Sequence, residues 1–216
     1  MPVLQTDAVT RETFWTIGPV GEAAFYYLAA VALLVFGYGV YARVVRYANA
    51  PADPFDPLDD LPGRVVHATR LLLTNEAQFD RDTYAGVMHA FIVWGFLTLL
   101  IGTTILAIDM DLWTKLLGQD SFFVGDFYLS YSLVVDAMGL LFVVGLGVAI
   151  YRRHIQSMDR LQGPYSGRED VLFLWALFVL GVGGFFLEGL RILGTSATRE
   201  VGFETVSFVG WAIKDW

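Results

Sequence analysis

A run of 24 residues without Asp, Glu, Lys or Arg, from Ala85 to Ile108, constrains this chain more than any other stretch. A helix needs about 20 apolar residues to cross roughly 30 Å of hydrocarbon, so the run predicts a transmembrane helix. It contains one histidine, His89. An imidazole in such a segment is disfavoured unless it has a partner, and the common partners inside a helix bundle are a haem iron, another polar side chain or water. We take haem iron as the leading interpretation.

Three further apolar runs predict a polytopic membrane protein. The expected spans are about 23–45, 85–108, 127–151 and 171–193, in an all-α bundle that forms a single membrane domain over residues 1–216. Hydrophobic residues make up 56% of the chain, and the charges cluster between the runs, which argues against a soluble core. No cleavable signal is visible before the first span.

Cysteine content and charge exclude several functions. The chain has no cysteine, so it can hold no iron–sulfur cluster on its own thiolates. Its net charge is −8 and its only lysines are Lys115 and Lys214, whereas nucleic-acid binding requires a basic stripe. We therefore expect membrane lipid as the surrounding medium and no nucleic-acid partner.

The arginines predict the orientation in the membrane. The loops after the first and third spans carry nine of them: Arg43, Arg46, Arg64, Arg70, Arg81, Arg152, Arg153, Arg160 and Arg168. The loop after the second span carries only Lys115. Because basic loops stay in the cytoplasm, we expect a multi-pass plasma-membrane protein with its N-terminus outside and His89 near the cytoplasmic side.

The first cytoplasmic loop has two parts. Asn49–Pro62 is rich in proline and aspartate and predicts an extended surface segment. Residues 64–79 then show helical spacing of apolar residues, which predicts an amphipathic helix on the cytoplasmic face. Arg64, His67 and Arg70 recur every three residues on it. They are either an interfacial polar face or a cluster that meets haem propionates or a docking partner.

Two later spans carry charged residues that are costly in a membrane. Asp136 falls near the middle of the third span, so it is either a neutral group that stabilises the bundle or a participant in proton transfer or quinone chemistry. Glu188 and Arg191 share a face of the fourth helix and form either an interfacial ion pair or the rim of a quinol pocket. Gly194–Trp216 predicts a short polar-aromatic tail that stays outside.

Four motifs together resemble a known family. They are DRDTYAGVMHAFIVWGF (Asp80–Phe96), FYLSYSLVVDAMGLL (Phe127–Leu141), YRR (Tyr151–Arg153) and FFLEGLRI (Phe185–Ile192). The chain resembles, over about Ala23–Lys214, the membrane cytochrome b domain of heterodisulfide-reductase-related Fe–S oxidoreductases. That domain is similar to the gamma subunit of respiratory nitrate reductase.

The resemblance implies a five-helix domain that moves electrons between menaquinone or another quinone and iron–sulfur clusters of a cytoplasmic module. It also implies that His89 is a haem b ligand. The family's fifth helix with two histidines, and the cysteine-rich domain of its fused members, have no counterpart in this sequence, so we expect a truncated or split chain. Leu99 stands where nitrate-reductase-like subunits have a second histidine, and we expect one haem rather than two.

The second axial ligand is open. His154 is at a matching depth but also fits a basic cytoplasmic anchor, His67 would have to fold down from the interface, and a separate fifth helix is the better donor. Electron transfer through haem b is the leading function. The alternatives are a cofactor-free membrane anchor that docks a soluble partner and, with least support, a proton-coupled transporter.

Overall fold

The computed structural model describes residues 9–11, 13–14, 17–49, 59–156, 167–197 and 200–215. Within these ranges the chain is helical and forms no β-strand, which confirms the all-α class. The helices are α1 (Gly18–Ala48), α2 (Leu61–Thr74), α3 (Glu76–Phe79), α4 (Thr83–Ala107), α5 (Gly125–His154), α6 (Arg168–Ser196) and α7 (Phe208–Ile213). A π-helical segment, Ile108–Leu116, continues α4, and a 3₁₀ turn, Gly202–Val206, precedes α7.

Four of these helices are long and apolar enough to cross a membrane: α1, α4 with its π-helical continuation, α5 and α6. This confirms the four expected spans, and each helix extends a few residues beyond the predicted bounds. The amphipathic helix expected over residues 64–79 is broken at Asn75 into α2 and α3, because Asn75 has left-handed backbone angles (φ 53°) that a helix cannot continue through.

The chain divides into two compact units. One unit spans Glu12–Val66 and contains α1, on which the ring of Phe25 packs edge-on to Phe14. The other comprises Met1–Arg11 and His67–Trp216, and it contains α4 to α7. The organisation as a single membrane domain stays a prediction.

Glycines set the closeness of α4 and α5. A Cβ added at Gly95 would lie 2.6 Å from the Cβ of Phe142, and one added at Gly145 would lie 2.9 Å from Cγ1 of Ile92. Small residues let two helix backbones approach, which is the usual basis of helix pairing in a membrane. At both positions the glycine serves helix packing.

Polar groups lie inside the larger unit and apolar groups cover its outside. Leu172 and Leu187 on α6 are each about 70% exposed. Ser132 and Asp136 on α5 and Thr195 on α6 are buried. An apolar exterior around a partly polar interior suits a lipid environment.

The C-terminal segment packs against the long helices. Glu204 and Ser207 are fully buried and α7 packs against α6. The close contact is possible because Gly189 has no side chain. A Cβ added there would lie only 2.7 Å from the side chain of Ile213. Residues 201–213 therefore belong to the helix bundle. The expectation that this tail stays on the outside of the membrane stays a prediction.

Candidate functional site

Asp82 joins the start of α4 to the end of α5. We call the part of the bundle where these two helix ends meet the His89 end. One carboxylate oxygen of Asp82 accepts a hydrogen bond from the backbone N–H of Tyr84 at 3.0 Å and caps α4. The other accepts from Nη2 of Arg152 at 2.9 Å, where Arg152 is only 3% exposed. The hydrogen bond from Arg152 lowers the pKa of the Asp82 carboxyl from its ordinary value. The start of α4 is thus held in place electrostatically.

Two contacts hold the α2–α3 break against α4, and one hydrogen bond shapes the break itself. The indole Nε1 of Trp94 donates to the backbone carbonyl of Leu73 at 3.1 Å. Gly86 lets the ring of Phe79 approach, since a Cβ there would lie 2.6 Å from that ring. The backbone N–H of Asn75 donates to the carbonyl of Leu71 at 3.1 Å. Together they place the Asn75 side chain beside the first turns of α4.

Asn75 is the hydrogen-bond partner of His89. Its Oδ1 lies 2.6 Å from Nδ1 of His89, and Asn75 is only 1% exposed. A carboxamide oxygen can only accept, so a hydrogen bond between these two atoms requires the ring proton to be on Nδ1. Nε2 then keeps its lone pair. The structure thus supplies one of the expected kinds of partner, a polar side chain, and leaves the second ring nitrogen suited to a metal.

An imidazole held through Nδ1 is suited to serve as an axial ligand of haem. Among the described residues, no group of three or more His, Asp or Glu side chains could hold a metal ion. Haem brings four nitrogen ligands of its own and needs only an axial imidazole from the protein. His89 would hold the iron through Nε2.

The other two histidines occupy different surroundings. His154 is exposed at the end of α5, and its Nε2 accepts a hydrogen bond from the indole Nε1 of Trp175 on α6 at 3.2 Å. His67 is exposed on α2. The bond to Trp175 gives His154 a contact between helices and suits its interpretation as part of a cytoplasmic anchor. The source of a second axial ligand stays a prediction.

The two arginines expected near haem propionates are exposed on α2. Arg70 forms an ion pair with Glu76 at 3.1 Å, so a carboxylate already faces it. Arg64 lies one turn after the start of α2 and is the first of the three polar residues, Arg64, His67 and Arg70, that recur every three positions. Their role toward a propionate or a docking partner stays a prediction.

A second candidate site lies farther along the bundle. A cavity of about 440 Å³ separates α4, α5 and α6, and its lining includes Leu99, Tyr131, Gly184 and Glu188. A Cβ added at Gly184 would meet no atom within 4 Å, so the glycine opens onto free space. The lining also carries three charged side chains, those of Arg11, Asp136 and Glu188. A cavity of this size that combines apolar walls with a small set of polar groups is typical of a small-molecule site.

Asp136 supplies a carboxyl group to the wall of this cavity. The residue is 2% exposed, and its Oδ2 accepts from the backbone N–H of Val209 at 2.9 Å. Its Oδ1 is buried and has no hydrogen-bond partner among the described residues. A buried polar atom without a partner is costly, so a group that can meet it in the cavity is expected to bind favourably.

Arg191 is bonded chiefly to a residue that sequence analysis did not single out. Its Nη1 and Nη2 donate to the two carboxylate oxygens of Glu204 at 2.7 and 3.1 Å, while Glu188 lies farther, at 3.4 Å. Glu204 also accepts from the hydroxyl of Tyr128 at 2.6 Å. Arg191 therefore anchors the C-terminal segment, whereas Glu188 faces the cavity.

Two residues that shape these sites escaped sequence analysis, namely Asn75 and Glu204. Glu204 could have been suspected, because it is the only charge between Val201 and Ile213. Asn75 carried no comparable signal. Its importance depends on a helix break that the apolar periodicity of residues 64–79 did not reveal.

Comparison with known proteins gives two relatives. The "EtfAB:quinone oxidoreductase" of Syntrophomonas wolfei subsp. wolfei is 33% identical over 142 residues, which are 63% of this chain and 19% of that protein. The "Probable iron-sulfur-binding oxidoreductase FadF" of Bacillus subtilis is 23% identical over 155 residues, which are 70% of this chain and 21% of that protein. The chain thus spans about a fifth of the length of these curated relatives. No family model and no solved structure matches it.

Both relatives are oxidoreductases, one named for a quinone and the other for iron–sulfur binding. The expected kinship with iron–sulfur and quinone oxidoreductases is confirmed at this level. The finer likeness to the nitrate reductase gamma subunit stays a prediction. The chain is accordingly related to part of larger oxidoreductases that act with quinones or iron–sulfur centres.

Proposed function

We propose that this chain is a membrane-embedded haem b electron-transfer domain that links a membrane quinone pool to iron–sulfur clusters of a cytoplasmic oxidoreductase module. One observation carries the proposal. His89 lies in an apolar span, and Asn75 holds its Nδ1 at 2.6 Å and so leaves Nε2 with a lone pair. Haem bound there would supply one-electron redox chemistry within the membrane.

The arginine distribution supports the placement of this domain in the plasma membrane with its N-terminus outside and the His89 end toward the cytoplasm. The iron–sulfur clusters belong to another chain or to a further region, because this sequence has no cysteine. The relatives, of which this chain covers about a fifth, support such a larger assembly.

The cavity between α4, α5 and α6 is the proposed quinone site. A quinol that gives up two electrons also loses two protons, and the reverse reaction takes both up. Asp136 Oδ1 is the buried acceptor without a partner among the described residues, and Glu188 is a second carboxylate in the same lining. Asp136 would exchange a proton with one quinone oxygen, and Glu188 is placed to exchange the other. Tyr131 and Leu99 would pack against the ring.

A cofactor-free membrane anchor is the second candidate. Exposed basic residues on α2 favour it, since Arg64 and Arg70 lie on the surface of that helix and suit a soluble partner. In an anchor the bond between His89 and Asn75 would only join α4 to the α2–α3 break.

Visible spectroscopy separates the two functions. The purified full chain, expressed together with its cytoplasmic module, should show a b-type alpha band in the dithionite-reduced minus oxidised spectrum. The anchor would show none. The matched control is His67→Gln, which removes an exposed histidine and should leave the band unchanged.

A further inference from the structure

Asn75 is buried and has an unusual backbone conformation, although it lies in the connection between two helices. It is 1% exposed, has left-handed backbone angles, and lies at the break between α2 and α3. Asn adopts this conformation more readily than most residues other than glycine. The bond from Trp94 to Leu73 and the contact of Phe79 with Gly86 fix the break against α4. The side chain therefore reaches His89 from a helix break that is held against α4.

We infer that Asn75 is a positioning residue that holds His89 in the Nδ1–H tautomer and so leaves Nε2 unprotonated and able to bind a metal. The inference rests on the proposed haem function and adds to it the residue that prepares the ligand. Neutral imidazole has one donor and one acceptor nitrogen, so the partner of the first nitrogen decides the chemistry of the second. Oxygen partners of this kind orient the ring and raise the basicity of the ligating nitrogen.

The opposite orientation of the carboxamide makes the opposite prediction. If the –NH₂ group of Asn75 donated to an unprotonated Nδ1, the proton would sit on Nε2 and that nitrogen could not bind iron. The tautomer of His89 is therefore a direct readout of the inference, and it does not require haem.

The tautomer is measured by ¹⁵N NMR on the full chain with labelled histidine, purified in detergent without added haem. With only three histidines, His67→Gln and His154→Gln assign the signals. We expect the wild-type His89 to be in the Nδ1–H form. Asn75→Gly keeps a residue that accepts left-handed angles but removes the oxygen, so it should shift His89 toward the Nε2–H form. Asn75→Asp keeps an acceptor oxygen and should preserve the Nδ1–H form.

Haemin titration of the same proteins, followed by Soret absorbance, gives the second readout. Loss of a partner behind a metal ligand typically weakens metal binding about 10- to 100-fold, which we expect for Asn75→Gly, with rescue in Asn75→Asp.

A wild-type Nε2–H tautomer, or equal tautomers and equal affinities in wild type and Asn75→Gly, would overturn the inference. Absence of haemin binding in the wild type together with an Nδ1–H signal would instead overturn the proposed function. A circular-dichroism spectrum of Asn75→Gly that matches wild type excludes misfolding as the cause.

Discussion

Glu204 accepts hydrogen bonds from both terminal nitrogens of Arg191, at 2.7 and 3.1 Å, in a position with no exposure to solvent. The hydroxyl of Tyr128 donates to the same carboxylate at 2.6 Å. Glu204 lies in the 3₁₀ turn before α7, Arg191 on α6 and Tyr128 on α5. The bidentate pair thus ties the C-terminal segment to two of the apolar helices.

Removal of one charge of this pair should be strongly destabilising. Glu204→Gln removes the closer of the two carboxylates that face the buried Arg191 guanidinium, at a cost of about 3 kcal/mol or more. Thermal unfolding in detergent measures the loss. Glu188→Gln is the control, because Glu188 is one-fifth exposed and lies 3.4 Å from Arg191, and it should cost less than about 1 kcal/mol. Similar losses for the two variants would show that Arg191 is not anchored by Glu204.

The bond between Asp82 and Arg152 should make stability depend on acid. Because the pKa of Asp82 is lowered in the folded protein, its contribution is present at neutral pH and is lost as pH falls below the ordinary carboxyl value of 3.8 and through the lowered pKa. Asp82→Asn keeps an oxygen to cap α4 but removes the charge. The variant should unfold at a lower temperature than wild type at neutral pH, and the gap should close in acid. If the unfolding temperatures of the two proteins differ by the same amount at neutral and at acid pH, the prediction is wrong.

His89→Ala should abolish haem incorporation, even when a partner segment supplies the second axial ligand. The reason is that His89 combines a position inside a span with a held Nδ1, whereas His67 and His154 are exposed. His67→Ala and His154→Ala should leave the reduced spectrum essentially unchanged. Haem content is measured by pyridine haemochrome. Full haem in the His89→Ala protein would rule out this ligand, and loss of haem in His154→Ala would show that the chain supplies its own second ligand.

Asp136→Asn should preserve folding and haem content but slow quinol oxidation roughly 100-fold. The amide oxygen can still accept from the N–H of Val209, whereas an amide cannot exchange the proton as a carboxyl group does. Quinol-dependent reduction of the haem, followed in a stopped-flow instrument, measures the rate. Asp136→Leu is the comparison and should be destabilised, because it leaves that N–H unpaired. The idea fails if Asp136→Asn does not assemble while Asp136→Leu does.

Orientation can be tested with introduced cysteines, because the natural chain has none. Asp59→Cys lies in the exposed segment before α2, and Gln119→Cys lies in the exposed connection between α4 and α5. An impermeant thiol reagent applied to intact cells should label the second and not the first. Labelling of Asp59→Cys alone would reverse the proposed topology. Both should react after the cells are opened.

Much of this fold was predictable because membrane insertion depends on properties that add up along the chain. The absence of charge over Ala85–Ile108 was enough to predict α4, and His89 stood out as the one histidine within it. The mid-span position of Asp136 likewise marked it as a candidate from hydropathy alone. The break in the amphipathic helix was not predictable. An asparagine within a helix costs little free energy, so Asn75 alone does not mark a break, and only tertiary contacts favour its left-handed backbone angles.

By itself, the sequence determined the membrane class, the four spans and the candidates His89 and Asp136, because hydropathy and charge act locally over one helix length. Only the tertiary structure decided which groups meet. The hydrogen bond between His89 and Asn75 joins residues 14 apart across a helix break, and that between Arg191 and Glu204 joins residues 13 apart across a turn. Such bonds depend on how close the helices approach and on where the chain bends, and these follow from glycine contacts and buried polar pairing rather than from periodicity.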